Sequence, residues 1–597
     1  MLKNNLKINN ESGSAMLTAV VFFMFISLLI VAGLVSPSVV EFKNASVNLN
    51  SKVSYALAES GVEDAVYRLK NNKTIGANET IILGSNSAAT TIVTNGNQKT
   101  IESVGNVSSY QRKIDLTITT GAGVGFNYGL QTGAGGINMQ NSSDTINGSV
   151  YTNGKIVASG TNYITGSAIA ADSPALAVDQ SNIVPTTPTN SINFGNVSAS
   201  QDYAQSFQVS ANLPLNKVQF YIKKNGSPGG TITVRLVADN AGSPSTVNLP
   251  LGTATLGSIT TSYSWVNATF TSNPALVPNT TYWIVLDYST TNVSNYYIIG
   301  ANADSSYGVG TAKTGVYSSG TWVASNLDSY FQIYTGGVSG SIGGAGYASA
   351  LTVGTGSVGD TWASNVSGTT ARGNMYCNTG SNNNKSCTTN HGIPPQVGLP
   401  FTSANIASWE TAALAGGTQT GDLEVTGGAG IVSLGPKKIV GNLHVGGSKT
   451  FLVTGTLWVT GNITIDGSGH MELPSNYALN SETIVADGKI SLGGSASLGS
   501  GNPSSFLFVV SNSRCPYDTY CSGASAISVS GAAGAIAVDA QYGDVSITGS
   551  SSLCAAVGNS MTVTGSDTIN YNSGLASPYF KSGPSGSWNI DKWQETQ

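Results

Sequence analysis

The chain has 597 residues, a formal net charge of −5 and only 9% charged residues, against about 25% in an average soluble protein. With no basic patch, that balance argues against nucleic acid as a partner. Regularly spaced Val, Ile and Leu among 73 Gly and many Ser, Thr and Asn argue against disorder, and the length accommodates three or four domains.

Lys3 and Lys7 lead into the junction Ser12-Gly13-Ser14-Ala15-Met16-Leu17, and residues 15–35 are apolar and uncharged. At about 1.5 Å per residue such a helix crosses a hydrocarbon core of about 30 Å. Basic residues ahead of a first span hold the N-terminus in the cytoplasm, so the bulk of the chain is expected outside. A secretory signal places its small-residue cleavage site after the apolar core; here the small residues come before it. Helix-compatible sequence continues over residues 31–70, with a kink expected at Pro37. Leu57, Gly61/Val62, Ala65/Val66 and Leu69 form one apolar stripe, and Asn71-Asn72 is the expected stop.

The junction is similar to a type IV prepilin leader, which is cut on the cytoplasmic side after a Gly. The segment "ALAESGVEDAVYRLK" resembles the end of the N-terminal helix of PilX-type minor pilins and pilus-assembly proteins. That resemblance spans residues 14–70, and "TIESVGNVSSYQRKIDLTI" at 100–118 resembles the β-meander that follows it. It implies cleavage between Gly13 and Ser14 by a prepilin peptidase, and packing of the freed helix with other pilins. Thr18 stands where prepilins usually carry Glu.

Residues 129–170 show short apolar triplets punctuated by Gly, Asn or Ser, a texture that returns from about residue 338 in "GDLEVTG", "KKIVGNLHVGG" and "KTFLVTGTLWVTGNITIDGSG". Such strands suit the coils of a parallel β-helix, with a Greek-key sandwich as the alternative. Ser403 is the expected cap of a helix over "ANIASWETAALAG", stopped by Gly416-Gly417. Residues 192–335 carry longer aromatic strands in period-two alternation, as in "NKVQFYIKK", "YSWVNATF" and "TYWIVLDYS", and predict an antiparallel jelly-roll sandwich. "VADNAGSPS", "TTYWIVLDY" and Gly320-Thr321-Trp322 make this block similar to choice-of-anchor modules of bacterial surface proteins. The expected fold class is therefore mainly β. It comprises a leader (1–13), a transmembrane pilin helix (14–72), a small meander (73–125), a first stretch of β-helix (126–190), an inserted jelly-roll sandwich (191–336), and β-helix with a C-terminal cap (337–597).

Of five cysteines, Cys377 with Cys387 and Cys515 with Cys521 are two close pairs in loops of an exported chain, read as disulfides. Zinc is the rival; neither spacing fits a knuckle and the chain has 3 His. No metal or other cofactor is expected. The Asp residues after 336 are scattered and sit beside turn residues, and no nucleophile elbow or phosphate loop occurs, so the chain reads as no enzyme. Jelly-roll modules bind glycans on exposed aromatic rings, with amides and carboxylates reading hydroxyls. The candidates are Trp322, Tyr317, Tyr307 and Tyr297, with Asp304 and Asp328 as polar partners, while Trp265 and Trp283 are assigned to the core. The sequence is thus expected to encode a type IV pilus-associated, minor-pilin-like protein, single-pass in the membrane and exposed at the cell surface. It is a tip or low-copy adhesin whose partners are prepilin peptidase, other pilins, the membrane and an extracellular glycan or host-cell surface. A permanently anchored surface adhesin and a β-helix polysaccharide lyase or hydrolase are the alternatives.

Overall fold

In a computed structural model, the apolar run and the stripe that follows it form one unbroken helix, α1 (Glu11–Lys70). The structure describes residues 11–70, 75–95, 98–120, 124–183, 187–246, 251–303, 307–345, 350–477, 480–500, 505–517, 521, 523–530, 536–576, 578–580 and 588–596. The leader up to residue 10 and the expected stop at Asn71-Asn72 lie outside them. The helical assignment continues through Pro37; the residue lacks the N–H that would bond to the Gly33 carbonyl, a loss confined to one rung of the ladder.

The chain forms two compact units, residues 1–122 with 586–597, and residues 123–585. In the first, strands β1 (Asn78–Leu83), β2 (Asn86–Asn95), β3 (Gln98–Val107) and β4 (Tyr110–Thr120) make an antiparallel meander. Ala58, Val62 and Ala65 of α1 bury against Ile92, Ile101, Ile114, Leu116 and Ile118. The helix lies close because two glycines let it. A Cβ on Gly61 would stand 2.3 Å from Ser103 Oγ, and one on Gly105 would stand 2.0 Å from the Ser54 carbonyl oxygen. Ser54 Oγ donates to the Gly105 carbonyl at 2.6 Å, fixing the contact.

The last strand of the chain, Trp588–Thr596, completes this sheet by pairing antiparallel with β4. Leu116 lies opposite Trp593, and Arg112 pairs with Glu595 at 2.9 Å. The expected C-terminal cap on the β-helix is thus corrected for this segment: its alternating "WNIDKWQET" covers the open edge of β4 instead. Residues 123–585 are in consequence an insertion between neighbouring strands, and Thr120 pairs with Trp588 where it leaves and returns.

The second unit is a parallel β-helix whose coils do not stack in chain order. Leu423, Leu443, Ile463, Ile490, Ile527, Val545, Met561, Ile137, Ile156, Ile342 and Val366 form one inward column, each in parallel register with the next. All but Leu423 are fully buried. The pairing of Met561 with Ile137 joins the last coils to the first. The chain therefore enters mid-stack, winds out to one end near Thr379–Ser381, crosses to the other end at Thr418–Thr420, and winds back. Stacking the coil of Thr568–Asn570 on that of Thr145–Asn147 satisfies the edge groups a cap would have covered.

Helix α2 (Ser403–Ala415) rides on the crossing. Its cap is Thr402 rather than Ser403: Thr402 Oγ1 accepts from the Asn405 N–H at 3.2 Å, and the Thr402 N–H donates to Asn405 Oδ1 at 2.9 Å. Ile406 and Trp409 bury against Phe401, Phe508 and Phe580 on the outside of the coils.

Two seven-stranded antiparallel sheets interrupt the β-helix and share one apolar core. They leave and rejoin the host chain side by side. Ser173 N–H donates to the Val338 carbonyl at 3.0 Å, and the Val338 and Gly340 N–H groups donate to Ser173 Oγ and Asp172 Oδ1, both at 2.7 Å. Such neighbouring ends let a host fold accept an insertion without opening its own ladder.

Candidate functional site

The junction Gly13–Ser14 lies in the first turns of α1. Beyond it the helix offers its apolar side chains outward all round: Met16 is 72% and Leu29 68% exposed, and Phe22, Phe25 and Leu34 are similarly open. This run is long and apolar enough to cross a membrane. The burial changes from Ser54 onward, where Leu57, Ala58, Val62 and Ala65 turn to the sheet. One helix thus has a free apolar half and a docked half.

The proposed glycan residues do not form one site. Trp322 and Tyr317 do come together, partly buried on Ala204, Val237, Trp283 and Val285 on the outer face of one sandwich sheet. Asp202, itself buried, accepts the Tyr317 and Tyr288 N–H groups at 2.7 Å each. Burial pushes its carboxyl up to about 6 despite those donors. The Arg235 guanidinium sits 5.3 Å from the Tyr317 ring centroid and pairs with Asp287 at 2.6 Å. Trp322 Nε1 is buried without a hydrogen-bond partner.

The other candidates are corrected by burial. Tyr297 stacks on Phe194 at 5.5 Å and meets Tyr288 edge-on at 5.0 Å inside the core, where desolvation pushes its phenol up to about 12. Tyr307 packs edge-on to Phe331 at 4.9 Å and donates its hydroxyl to Gln180 Oε1 at 2.9 Å. Asp328, 2% exposed, accepts the Tyr307 N–H at 2.9 Å and so has a structural role. Neither ring can offer a face to a sugar. Asp304 lies outside the described residues.

Trp283 is buried as expected, its Nε1 donating to Asp239 Oδ1 at 2.7 Å. Trp265 is not core. It lies partly exposed beside Tyr221, with ring centroids 5.3 Å apart, on the outer face of the other sheet. The alternation in "SWVNAT" carries the signal that sequence reasoning missed: Trp265 shares parity with Asn267 and Thr269, while Val266 and Ala268 point inward.

The structure joins Cys377 to Cys387 and Cys515 to Cys521. The first bridge ties buried Cys377 of the outermost coil to Cys387 in the segment that follows it, and the second is fully buried in the β-helix core. Cys554 belongs to neither disulfide and is partly buried. Among the described residues no group of three or more His, Cys, Asp or Glu is placed to hold a metal ion. His444 lies between Glu424 (2.8 Å) and Asp466 (3.1 Å) on the outside of neighbouring coils.

No protein-family model matches the chain, and no curated protein matches it. Among solved structures, it is similar to the competence-associated pilin ComZ from Thermus thermophilus, at 10% identity over 92% of this chain and 97% of that chain. The TM-score is 0.26, a likeness too loose to carry a fold or a role from one to the other.

Proposed function

We propose that this chain is a minor-pilin-like surface protein, inserted in the cytoplasmic membrane through α1 and then taken into a type IV filament. The observation that carries the reading is the division of α1, apolar and exposed over residues 15–35 and docked on an antiparallel sheet from Ser54 onward. A helix with that division serves two environments in turn. It sits in lipid before assembly, and afterwards it packs among other apolar helices, where Ala32 and Gly33 permit close contact. Prepilin peptidase cuts between Gly13 and Ser14 in this reading.

The body of residues 123–585 is far larger than the sheet it interrupts. Repeated along a thin filament it would crowd its neighbours, so the chain works at a tip or at low copy. Its role there is adhesion rather than catalysis, with Trp322 and Tyr317 as the surviving pair of the first glycan candidates. The test is to express the tagged full chain in cells that assemble type IV filaments and in cells lacking the assembly ATPase. The account predicts the chain in the sheared filament fraction of the first only. Retention in the membrane fraction of both supports a permanently anchored adhesin, the reading that Thr18 in place of Glu favours.

A further inference from the structure

The outer face of the sheet that holds Trp265 is organised in rows. Strand Leu215–Asn225 runs between strands Ser264–Thr269 and Phe331–Thr335, and registered residues of equal parity share the outward side. At one end, Lys217 lies opposite Thr269 and Tyr334. Next comes an amide row, Asn267, Gln219 and Gln332, and then Trp265 beside Tyr221. Tyr263 and Lys223 close the far end. From Lys217 to Lys223 the face runs roughly 20 Å at about 3.3 Å per residue.

The groups on it are held but not used up. Lys217 Nζ stands 4.2 Å from the Tyr334 ring centroid, and Lys223 Nζ stands 4.5 Å from that of Tyr263. These contacts hold both ammonium groups in place. Among the described residues neither lysine has a carboxylate partner, and the three strands contain no Asp or Glu. Tyr221 stacks on Tyr263 at 5.4 Å and 13° and leans on Trp265 at 48°. In the amide row, Gln219 donates to Asn267, and the Tyr334 hydroxyl lies 2.9 Å from Gln219 Oε1 and 3.1 Å from Gln332 Oε1. The Asn267 and Gln332 NH2 groups remain as donors.

We propose that this face binds an acidic polysaccharide of the uronic-acid type. Rings accept the C–H faces of sugars, amides read hydroxyls, and two isolated cations near the ends take carboxylates. Two point charges about 20 Å apart can take two carboxylates of such a chain, and the neutral rows between them take the hydroxyl-rich units that join those two. A purely electrostatic binder would concentrate its lysines. The inference deepens the adhesive reading and rests on it only for an exported body. Binding by the purified chain does not depend on cleavage or filament entry, so the two fail separately.

The test is equilibrium binding of the full chain in detergent micelles to polygalacturonate, to neutral dextran and to phosphatidylglycerol vesicles. Polygalacturonate is expected to bind, and dextran at least about tenfold more weakly. The double variant Lys217→Glu/Lys223→Glu is expected to weaken polygalacturonate about tenfold or more, as is Trp265→Ala. Trp265→Phe, which keeps a ring and the packing on Tyr221, retains most of the affinity, and Lys489→Glu on the β-helix leaves it unchanged. Equal binding of dextran, binding of vesicles alone, no binding, or indifference to the lysine reversals would each overturn the proposal.

Discussion

Adding one methyl group at Gly105 should separate α1 from its sheet. The Cβ of Gly105→Ala would stand 2.0 Å from the Ser54 carbonyl oxygen and 2.8 Å from the Ala58 nitrogen. Both are backbone atoms, so no side chain can swing aside, and the helix must retreat by more than an ångström. That breaks the 2.6 Å bond from Ser54 Oγ to the Gly105 carbonyl, worth about 1 kcal/mol. It also loosens Ala58, Val62 and Ala65 on Ile101 and Ile114. Overpacking of this kind costs about 1–3 kcal/mol, giving a total of about 2–4 kcal/mol. Gly84→Ala is the control: its φ is 63° and its Cβ meets nothing within 4 Å, so it costs about 1 kcal/mol of backbone strain alone. Strand propensity by itself orders the two the other way, because Ala is the better strand residue at Gly105. Amide hydrogen exchange of the full chain, read in peptides covering residues 86–118, distinguishes them. Faster exchange in Gly105→Ala than in Gly84→Ala supports close docking, and wild-type protection in Gly105→Ala refutes it.

Other consequences follow from buried and coupled groups in the β-helix. Asp539 is wholly buried, and desolvation pushes its carboxyl up to about 8 against an ordinary value near 3.8. Its folded pKa is raised, so the stability it contributes is complete below about pH 4 and is lost as pH rises towards 8. Asp539→Asn should therefore be near neutral at pH 4 and stabilise by up to about 4 kcal/mol at pH 7; a denaturant-unfolding difference that does not grow with pH would contradict this. Removing the buried Cys515–Cys521 bridge with paired serines should cost about 2 kcal/mol, measured by the same unfolding. His444 is held protonated above its ordinary range, first by the Asp466 hydrogen bond and then by Glu424. Its contribution is present below about pH 6.5 and fades as pH rises through its folded value; partial exposure keeps it under about 1 kcal/mol. His444→Gln should thus lower stability slightly at pH 5.5 and leave it unchanged at pH 8.5.

The elements were more legible in the sequence than their partners. An uncharged run of apolar residues marks α1, and triplets such as Leu443-His444-Val445 and Ile463-Thr464-Ile465 mark coils with two side chains inward and one outward. Coil order was not legible, because inward positions are filled by interchangeable Leu, Ile and Val. Nothing in Met561 distinguishes a neighbour at Ile137 from one later in the chain. The partner of Trp588–Thr596 was hidden for the same reason: an alternating strand states which side it buries, and not which edge it joins. Tyr297 misled because Tyr296-Tyr297 offers a ring to both sides of the sheet, and only the register with Phe194 assigns the inner one. Trp265 was readable from its parity with Asn267 and Thr269, and the whole outer face of its sheet follows from that alternation.

The central claim is that α1 is a prepilin helix, and N-terminal sequencing with intact-mass analysis addresses it most directly. The full chain would be produced with an active prepilin peptidase and, separately, without it. The account predicts a new N-terminus at Ser14 that requires the peptidase. A Met1 form of unchanged mass in both samples would contradict it and leave the body on a permanent membrane anchor.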